Sequence, residues 1–341
     1  MQDFQWALLG PGRIARRFAQ AVQALPHTRL HSVWGRDAAR AQAFATAWAR
    51  EGQAAPQVQP DLATLLADTA IDAVYIATPH ALHGDLIRQC LWAGKPVLCE
   101  KPLVPTLAEA QSLTRLAQER GVFLMEALWT RFLPVYDPVQ SWLATGAIGP
   151  VRALQSSFCF SVPFDARSRL FDPALAGGTL LDIGIYNLAM TRWVLQATLG
   201  HCPEPMGLQL DGTLAPTGVD QRVAGTLHFP GGVLAQFVCA FDCAADNALR
   251  IFGERGHILV PQRFWEATQA VLVREGQAPQ TVEAPFRING FEGEIEEAMR
   301  CVRAGLAQSP RMPHEETLAL VAWIDRMRQQ LGVRYPFEPQ P

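Results

Sequence analysis

A doubly wound parallel α/β domain of the Rossmann type, followed by an α+β domain with a large, mainly antiparallel open sheet, is the fold class this sequence predicts. Three observations carry it. Residues 1–125 alternate apolar strand-like runs with helical patterns, as parallel strands joined by crossover helices do. From residue 126 on, long strand-like runs follow one another closely across Gly/Pro turns, which suits antiparallel strands. A Gly-x-Gly turn closes the first strand and opens the first helix. The expected domains are therefore 1–125 and 126–341.

The elements follow in order. "FQWALLG", from Phe4 to Gly10, reads as the first strand, and "IARRFAQAV" continues with helical spacing. "RLHSVWG" is a second strand and "DAARAQAFATAWA" an Ala-rich helix. "IDAVYIAT", a helix through "HGDLIRQCLWAG", the strand "KPVLCEK", a helix from Leu107 to Arg120 and "VFLMEALW" complete the first domain. In the second, "VRALQSSFCFSV", "DQRVAGTLHF" and "GGVLAQFVCAFDCA" read as strands. Helices are expected from Gly178, in "FEGEIEEAMRCVRAG" and in "EETLALVAWIDRMRQQLG".

Composition narrows the function. The chain has 341 residues, 49% hydrophobic and 18% charged, an ordinary globular profile with enough length for two cores. A net charge of −3 supplies no basic field for nucleic acid. No apolar run reaches membrane-spanning length, and the first strand begins almost at once, so a cytoplasmic location without a membrane partner is expected. The seven cysteines include no CxxC, and Cys239 and Cys243 are poorly spaced for zinc, so we read them as buried small side chains in a reducing compartment. No metal site is expected.

"LLGPGRIARRF" carries Gly10, Pro11, Gly12, Arg13, Ile14 and Ala15, the G-x-G-x-x-A form of the dinucleotide fingerprint in its required strand-to-helix setting. Gly10 permits the tight turn, Gly12 lets backbone approach a pyrophosphate, and Ala15 stays small for helix–strand packing. The helix N-terminus then offers N–H groups and partial positive charge to the phosphates. Arg36 stands at the end of the second strand, where an acid would bind a ribose 2′-hydroxyl, and Arg40 follows one turn on. A forked guanidinium suits a 2′-phosphate, so NADP is favoured over NAD, although Asp37 directly after Arg36 mixes the signal. In "TPHALH", Thr78, Pro79 and His83 join the expected cofactor-binding set at the ligand edge of the sheet. His80 and His83 have two readings, contact with nicotinamide or substrate, or, for His83, the opening of the next helix.

"VLCEKPLVPT" ends a strand with Glu100, Lys101 and Pro102. Proline keeps its predecessor out of the helical region, so Lys101 is held extended at the edge where open α/β sheets bind ligands. "GPGRIA", "EKP" and "GGTLLDIGIY", in that order and spacing, resemble the Gfo/Idh/MocA oxidoreductases over nearly the whole chain. "MEALWTRFLP" and "DIGIY" resemble most the dihydrodiol dehydrogenase and NADP-dependent D-xylose dehydrogenase groups of that family. The resemblance implies Lys101 and Tyr186 as the catalytic pair, Glu100 and Lys101 among the cofactor contacts, Trp129 facing the substrate and a homodimer through the second domain's sheet. Many members carry histidine where this chain has Tyr186.

Asp182 and Tyr186 interrupt an apolar segment of helical length and lie four residues apart, hence on one face of an α-helix. A phenol with its ordinary pKa of about 10 is a poor base near neutrality, and an ammonium within about 4–6 Å would favour the phenolate. Lys101 is the candidate. Tyr186 would then take the hydroxyl proton while hydride leaves the same carbon, or donate it in reverse. Asp182 would orient a neighbouring substrate hydroxyl or hold Lys101. Phe158 and Phe160 share one strand face; the resemblance implies Phe158 as a pocket wall, with core packing as the alternative. Trp129 would cover a sugar or diol ring, and Trp265 is a further candidate. The expected activity is hydride transfer between NADP and a secondary hydroxyl or carbonyl of a trans-dihydrodiol or a D-xylose-like pyranose. The rival is a nucleotide-sensing regulator that binds the cofactor without catalysis.

Overall fold

In the computed structural model, residues 3–49 and 54–338 are described. They form two compact units, Met1–Trp129 with Arg287–Val321, and Thr130–Phe286 with Ala322–Pro341. The second domain read from the sequence is continuous from 126, whereas here 287–321 packs with the first unit.

The first unit is built on β1 (Phe4–Leu9), α1 (Arg13–Ala24), β2 (Thr28–Trp34), α2 (Ala38–Ala47), β3 (Gln57–Val58), α3 (Leu62–Ala67), β4 (Ala73–Ile76), α4 (His83–Trp92), β5 (Val97–Glu100), α5 (Leu107–Arg120) and β6 (Leu124–Ala127). Its six strands are parallel and stand in the order β3-β2-β1-β4-β5-β6. The order reverses between β1 and β4, and such a switch point opens a crevice at the carboxyl ends of the strands. Both faces are covered, so the strands are apolar throughout rather than alternating. Ala7, Leu9, Val74, Ile76, Val97 and Cys99 pack on the α4/α5 side. On the other side Phe18 of α1 stacks on Tyr75 of β4 at 3.8 Å and meets Trp6 of β1 edge-on at 5.3 Å.

The second unit holds α6 (Tyr136–Ala144), β7 (Val151–Cys159), α7 (Ile185–Leu199), β8 (Gly207–Leu214), β9 (Asp220–His228), β10 (Leu234–Ala240), β11 (Leu249–Gly253), β12 (Gly256–Val260), β13 (Gln269–Arg274) and β14 (Gln280–Glu283). The eight strands run in the order β14-β13-β12-β11-β7-β10-β9-β8, antiparallel except for the β7/β10 pair. That parallel pair follows from α7, which lies between β7 and β10 in sequence and packs on both. Every residue from Ile185 to Leu195 is buried, so α7 has no solvent face and its sequence lacks an amphipathic period. Strands β8 and β11–β14 are not foreseen in the sequence. β8 and β14 are largely exposed, and their pairing rather than their apolar content defines them. Two further helices, α8 (Glu292–Arg303) and α9 (His314–Leu331), close the chain. Among the described residues no helix is long and apolar enough to cross a membrane. No disulfide links the cysteines, and Cys90, Cys99, Cys159, Cys239 and Cys301 are buried.

Candidate active site

At the switch point Gly10 has φ +91°, and a Cβ there would lie 2.8 Å from Thr78 Cγ2 and 2.9 Å from the Ala77 carbonyl oxygen. Only glycine closes this turn so tightly. Gly12 is the N-cap of α1, with no side-chain cap and no acidic residue in the first turn. The helix end, with Arg13 and Ile14 as its first residues, is therefore open to an anion. Thr78 adds a buried side-chain oxygen that has no hydrogen-bond partner among the described residues. Pro79 caps the short turn His80–Leu82 that follows. A dinucleotide's pyrophosphate fits these features, since the turn has the clearance, the open N–H groups and an unused hydroxyl.

Arg36 is exposed just beyond β2. Asp37, the acid that mixed the cofactor signal, caps α2, its Oδ1 accepting from the Arg40 backbone N–H at 3.0 Å. Its Oδ1 therefore serves the helix.

The loop after β5 is held on several sides. Glu126 accepts the Leu103 N–H at 2.8 Å through Oε1 and the Thr317 hydroxyl at 2.8 Å through Oε2. His83 is fully buried, with Nε2 2.8 Å from the Thr78 carbonyl and Nδ1 2.9 Å and 3.2 Å from those of Pro102 and Leu103. Burial draws this ring toward its neutral form, and the three carbonyls oppose that by favouring the imidazolium. Of its two readings, His83 takes the second. It opens α4, and its two ring nitrogens face backbone carbonyls of the loops carrying Thr78 and Lys101. Glu100 is the last residue of β5. On the alternating strand its carboxyl turns away from the Cys99 side and accepts the Tyr75 hydroxyl inside the unit. Lys101, the next residue, is half-buried, and its bond to Pro102 is cis.

In the second unit the segment around Asp182 is not a uniform α-helix. Leu180–Gly184 form a π-type turn that runs into α7. Its entry is fixed by Asp220, which accepts the Thr179 hydroxyl at 2.8 Å and the Leu180 N–H at 2.6 Å. Gly178 (φ +120°) leaves room for that carboxylate, since a Cβ would stand 2.3 Å from Asp220 Oδ1. Asp182 is buried and accepts from Arg169 Nη1 at 2.9 Å. Tyr186, 7% exposed, packs against Phe158 with ring centroids 5.6 Å apart. Phe158 stacks on Trp265 at 3.3 Å, and Phe160 meets it at 6.3 Å. Trp265 is set by an αL residue, Arg263, and by the Thr130 hydroxyl, which donates to its carbonyl at 2.7 Å. Asp182, Tyr186, Phe158 and Trp265 thus belong to one unit. Trp129 belongs to the other, where its ring lies 5.1 Å from Phe291 and beneath the Arg17 guanidinium at 4.3 Å.

The sequence reading misses Arg169, which sits in an aperiodic loop with no signal. Glu126 it also misses, although a lone acid in the apolar run "VFLMEALW" is one.

Comparison with known proteins agrees with this geometry. Residues 4–128 match the oxidoreductase family with an NAD-binding Rossmann fold, and residues 136–259 match the GFO/IDH/MocA C-terminal domain. The chain belongs to the Gfo/Idh/MocA oxidoreductase family. As a member it is a nicotinamide-dependent oxidoreductase acting on CH–OH groups. It is 32% identical to human (Homo sapiens) trans-1,2-dihydrobenzene-1,2-diol dehydrogenase over 97% of this chain and 98% of the relative. With the Danio rerio enzyme of that name the identity is 34%, over 98% and 99%. Among solved structures, KijD10, a 3-ketoreductase from Actinomadura kijaniata in complex with NADP and TDP-benzene, matches with a TM-score of 0.82 at 25% identity, covering 96% of this chain and 98% of that one. The aldose-aldose oxidoreductase of Caulobacter crescentus, at 23% identity and TM-score 0.83 over 97% and 98%, shares the fold.

Proposed function

We propose that this member of the family is an NADP-dependent oxidoreductase of cyclic diols or pyranose sugars, with Tyr186 as acid/base and Lys101 as its electrostatic partner. The observation that carries this reading is the Asp182–Tyr186 segment itself. A buried carboxylate in the π-type turn is followed by a phenol in the first turn of α7, and the phenol's ring lies against the Phe158–Trp265 stack. Such a surface pairs an apolar wall for a six-membered ring with polar groups for adjacent hydroxyls.

Gly10, Gly12 and the open end of α1 would hold the pyrophosphate of a nicotinamide dinucleotide, which would supply the hydride acceptor or donor. In oxidation, the substrate C–H bond breaks as hydride leaves, the O–H proton passes to the Tyr186 oxygen, and the carbonyl forms. In reduction, the phenol returns that proton to the alkoxide. The positive charge of Lys101 favours the phenolate. The Asp182 carboxylate accepts from the hydroxyl beside the reacting carbon and fixes which carbon is presented.

Several features support the reading: the open helix end, the assignment of Asp37 to a cap, the NADP in the KijD10 complexes, and the diol dehydrogenase relatives. A cytoplasmic homodimer joined through the eight-stranded sheet accompanies it, and light scattering on the purified chain tests the dimer.

Turnover is measured at the reduced-nicotinamide band with NADP or NAD over aldoses including D-xylose and a benzene trans-dihydrodiol. Tyr186→Phe is expected to keep cofactor affinity and lose at least about 100-fold in kcat. Near-normal turnover in that variant would remove Tyr186 from the mechanism. Cofactor binding with silence across the panel would favour a nucleotide-sensing role.

A further inference from the structure

Arg13 and Arg16 stand three residues apart, on one face of α1. Opposite them α2 presents Arg40, Ala43 and Ala47, spaced three and four apart, so these too share a face. The two alanines are too small to fill the space between the helices, and a groove of about 570 Å³ remains, walled at one end by Phe44 and Trp48. It runs outward from Pro11 and Gly12, the phosphate turn itself.

The charge in this groove is one-sided. Among the described residues three arginines line it and no acidic residue does. Among the described residues none of the three guanidinium groups has a carboxylate partner. Asp37, the nearest acid in sequence to Arg40, is engaged by the α2 backbone. Like charges gathered without a counterion repel one another, and a dianion seated among them relieves that repulsion while meeting several forked donors.

We propose that this groove between α1 and α2 seats the cofactor's 2′-phosphate, and that Arg16 acts with Arg13 and Arg40 as a determinant of the preference for NADP over NAD. This rests on the NADP reading above and deepens it. Arg36 alone at the end of β2 would hold the phosphate from one side only. Arg13 and Arg16 hold it from the α1 side, and Arg16, a turn beyond the pyrophosphate end of the helix, lies outside the residues that the glycine fingerprint assigns.

The test is calorimetric titration of the intact chain with NADP, NAD, 2′-AMP, 5′-AMP and inorganic phosphate. The variants are Arg16→Met, which keeps the stem and removes the charge, Arg16→Lys and Arg36→Met. Arg16 is exposed, so its variants keep the fold, and unchanged melting temperatures verify this. The proposal expects 2′-AMP to bind at least about tenfold more tightly than 5′-AMP or phosphate. Arg16→Met should weaken NADP and 2′-AMP about tenfold with NAD unchanged, and Arg16→Lys should recover part of the loss. Wild-type NADP affinity in Arg16→Met, with discrimination lost in Arg36→Met, would overturn the role of Arg16 and leave the NADP reading intact. Equal NADP and NAD affinity in the unaltered chain would overturn both. Inorganic phosphate binding as tightly as 2′-AMP would overturn the assignment to the nucleotide and leave a general anion site.

Discussion

Arg169 places a guanidinium nitrogen 2.9 Å from Oδ1 of Asp182, and that carboxylate side chain is only 8% exposed. The pair decides how a charged group persists in a helix whose neighbours are all buried. Arg169→Met would leave the carboxylate without this charged donor. A stability loss of about 1–3 kcal/mol is expected, read as a lowered urea midpoint. Substrate KM should rise while NADP affinity holds. An unchanged midpoint together with unchanged KM would show that Arg169 does not position Asp182.

His83 links two loops through three carbonyls. His83→Phe fills the same space and removes the single ring N–H that a neutral imidazole offers to the carbonyls of Thr78, Pro102 and Leu103. An unpaired buried polar group costs roughly 1–3 kcal/mol, so faster amide exchange in residues 101–104 and weaker NADP binding are expected together. Protection equal to the unaltered chain would assign the brace to Glu126 alone.

Glu294 on α8 is fully buried, and neither carboxyl oxygen has a hydrogen-bond partner among the described residues. Burial raises its pKa well above the usual carboxylate range, the negative charge of Glu100 adds to this, and Arg17 opposes it. Tyr75, which donates to Glu100, is likewise pushed up by burial and by both carboxylates. A raised acid contributes stability that is complete below the unfolded value of about 4.3 and is lost as pH rises through the folded value. Glu294→Gln, a neutral isostere, removes that loss. The variant should melt higher than the unaltered chain at pH 8, with the gap narrowing toward pH 4. A lower melting temperature at pH 8 would show instead a charged, paired Glu294.

Gly178 and Gly200 both have positive φ, yet only the first is crowded. A Cβ at Gly178 would meet Asp220 Oδ1 at 2.3 Å, whereas at Gly200 nothing lies within 4 Å. Gly200→Ala should cost only the left-handed backbone strain, about 1 kcal/mol. Gly178→Ala should cost clearly more, because Asp220 must leave the helix entry it caps. Equal urea midpoints for the two variants would remove Asp220 from that role.

Much of the fold was legible because it is local. Alternating strand and helix patterns, with a Gly-x-Gly turn after the first strand, specify a parallel sheet whose crossovers can close in only one hand. The placing of Lys101 at a strand end was legible too, since proline acts within a few residues, whereas the π-type turn Leu180–Gly184, which sets Asp182 apart from the α-helix carrying Tyr186, was not. The return of 287–321 to the first unit was not, because nothing in "FEGEIEEAMRCVRAG" names the surface it covers.

By itself, then, the sequence determined the Rossmann unit, the phosphate turn and the order of the chemistry-bearing motifs, because each rests on short-range backbone geometry. Tertiary structure alone decided which neighbour each polar side chain meets. It gave Asp37 to a helix cap and His83 to two loops, turned Glu100 inward to Tyr75, and brought Arg169 to Asp182. A buried donor or acceptor must find a partner in the folded chain, and that partner is fixed by packing across many residues rather than by its place in the sequence.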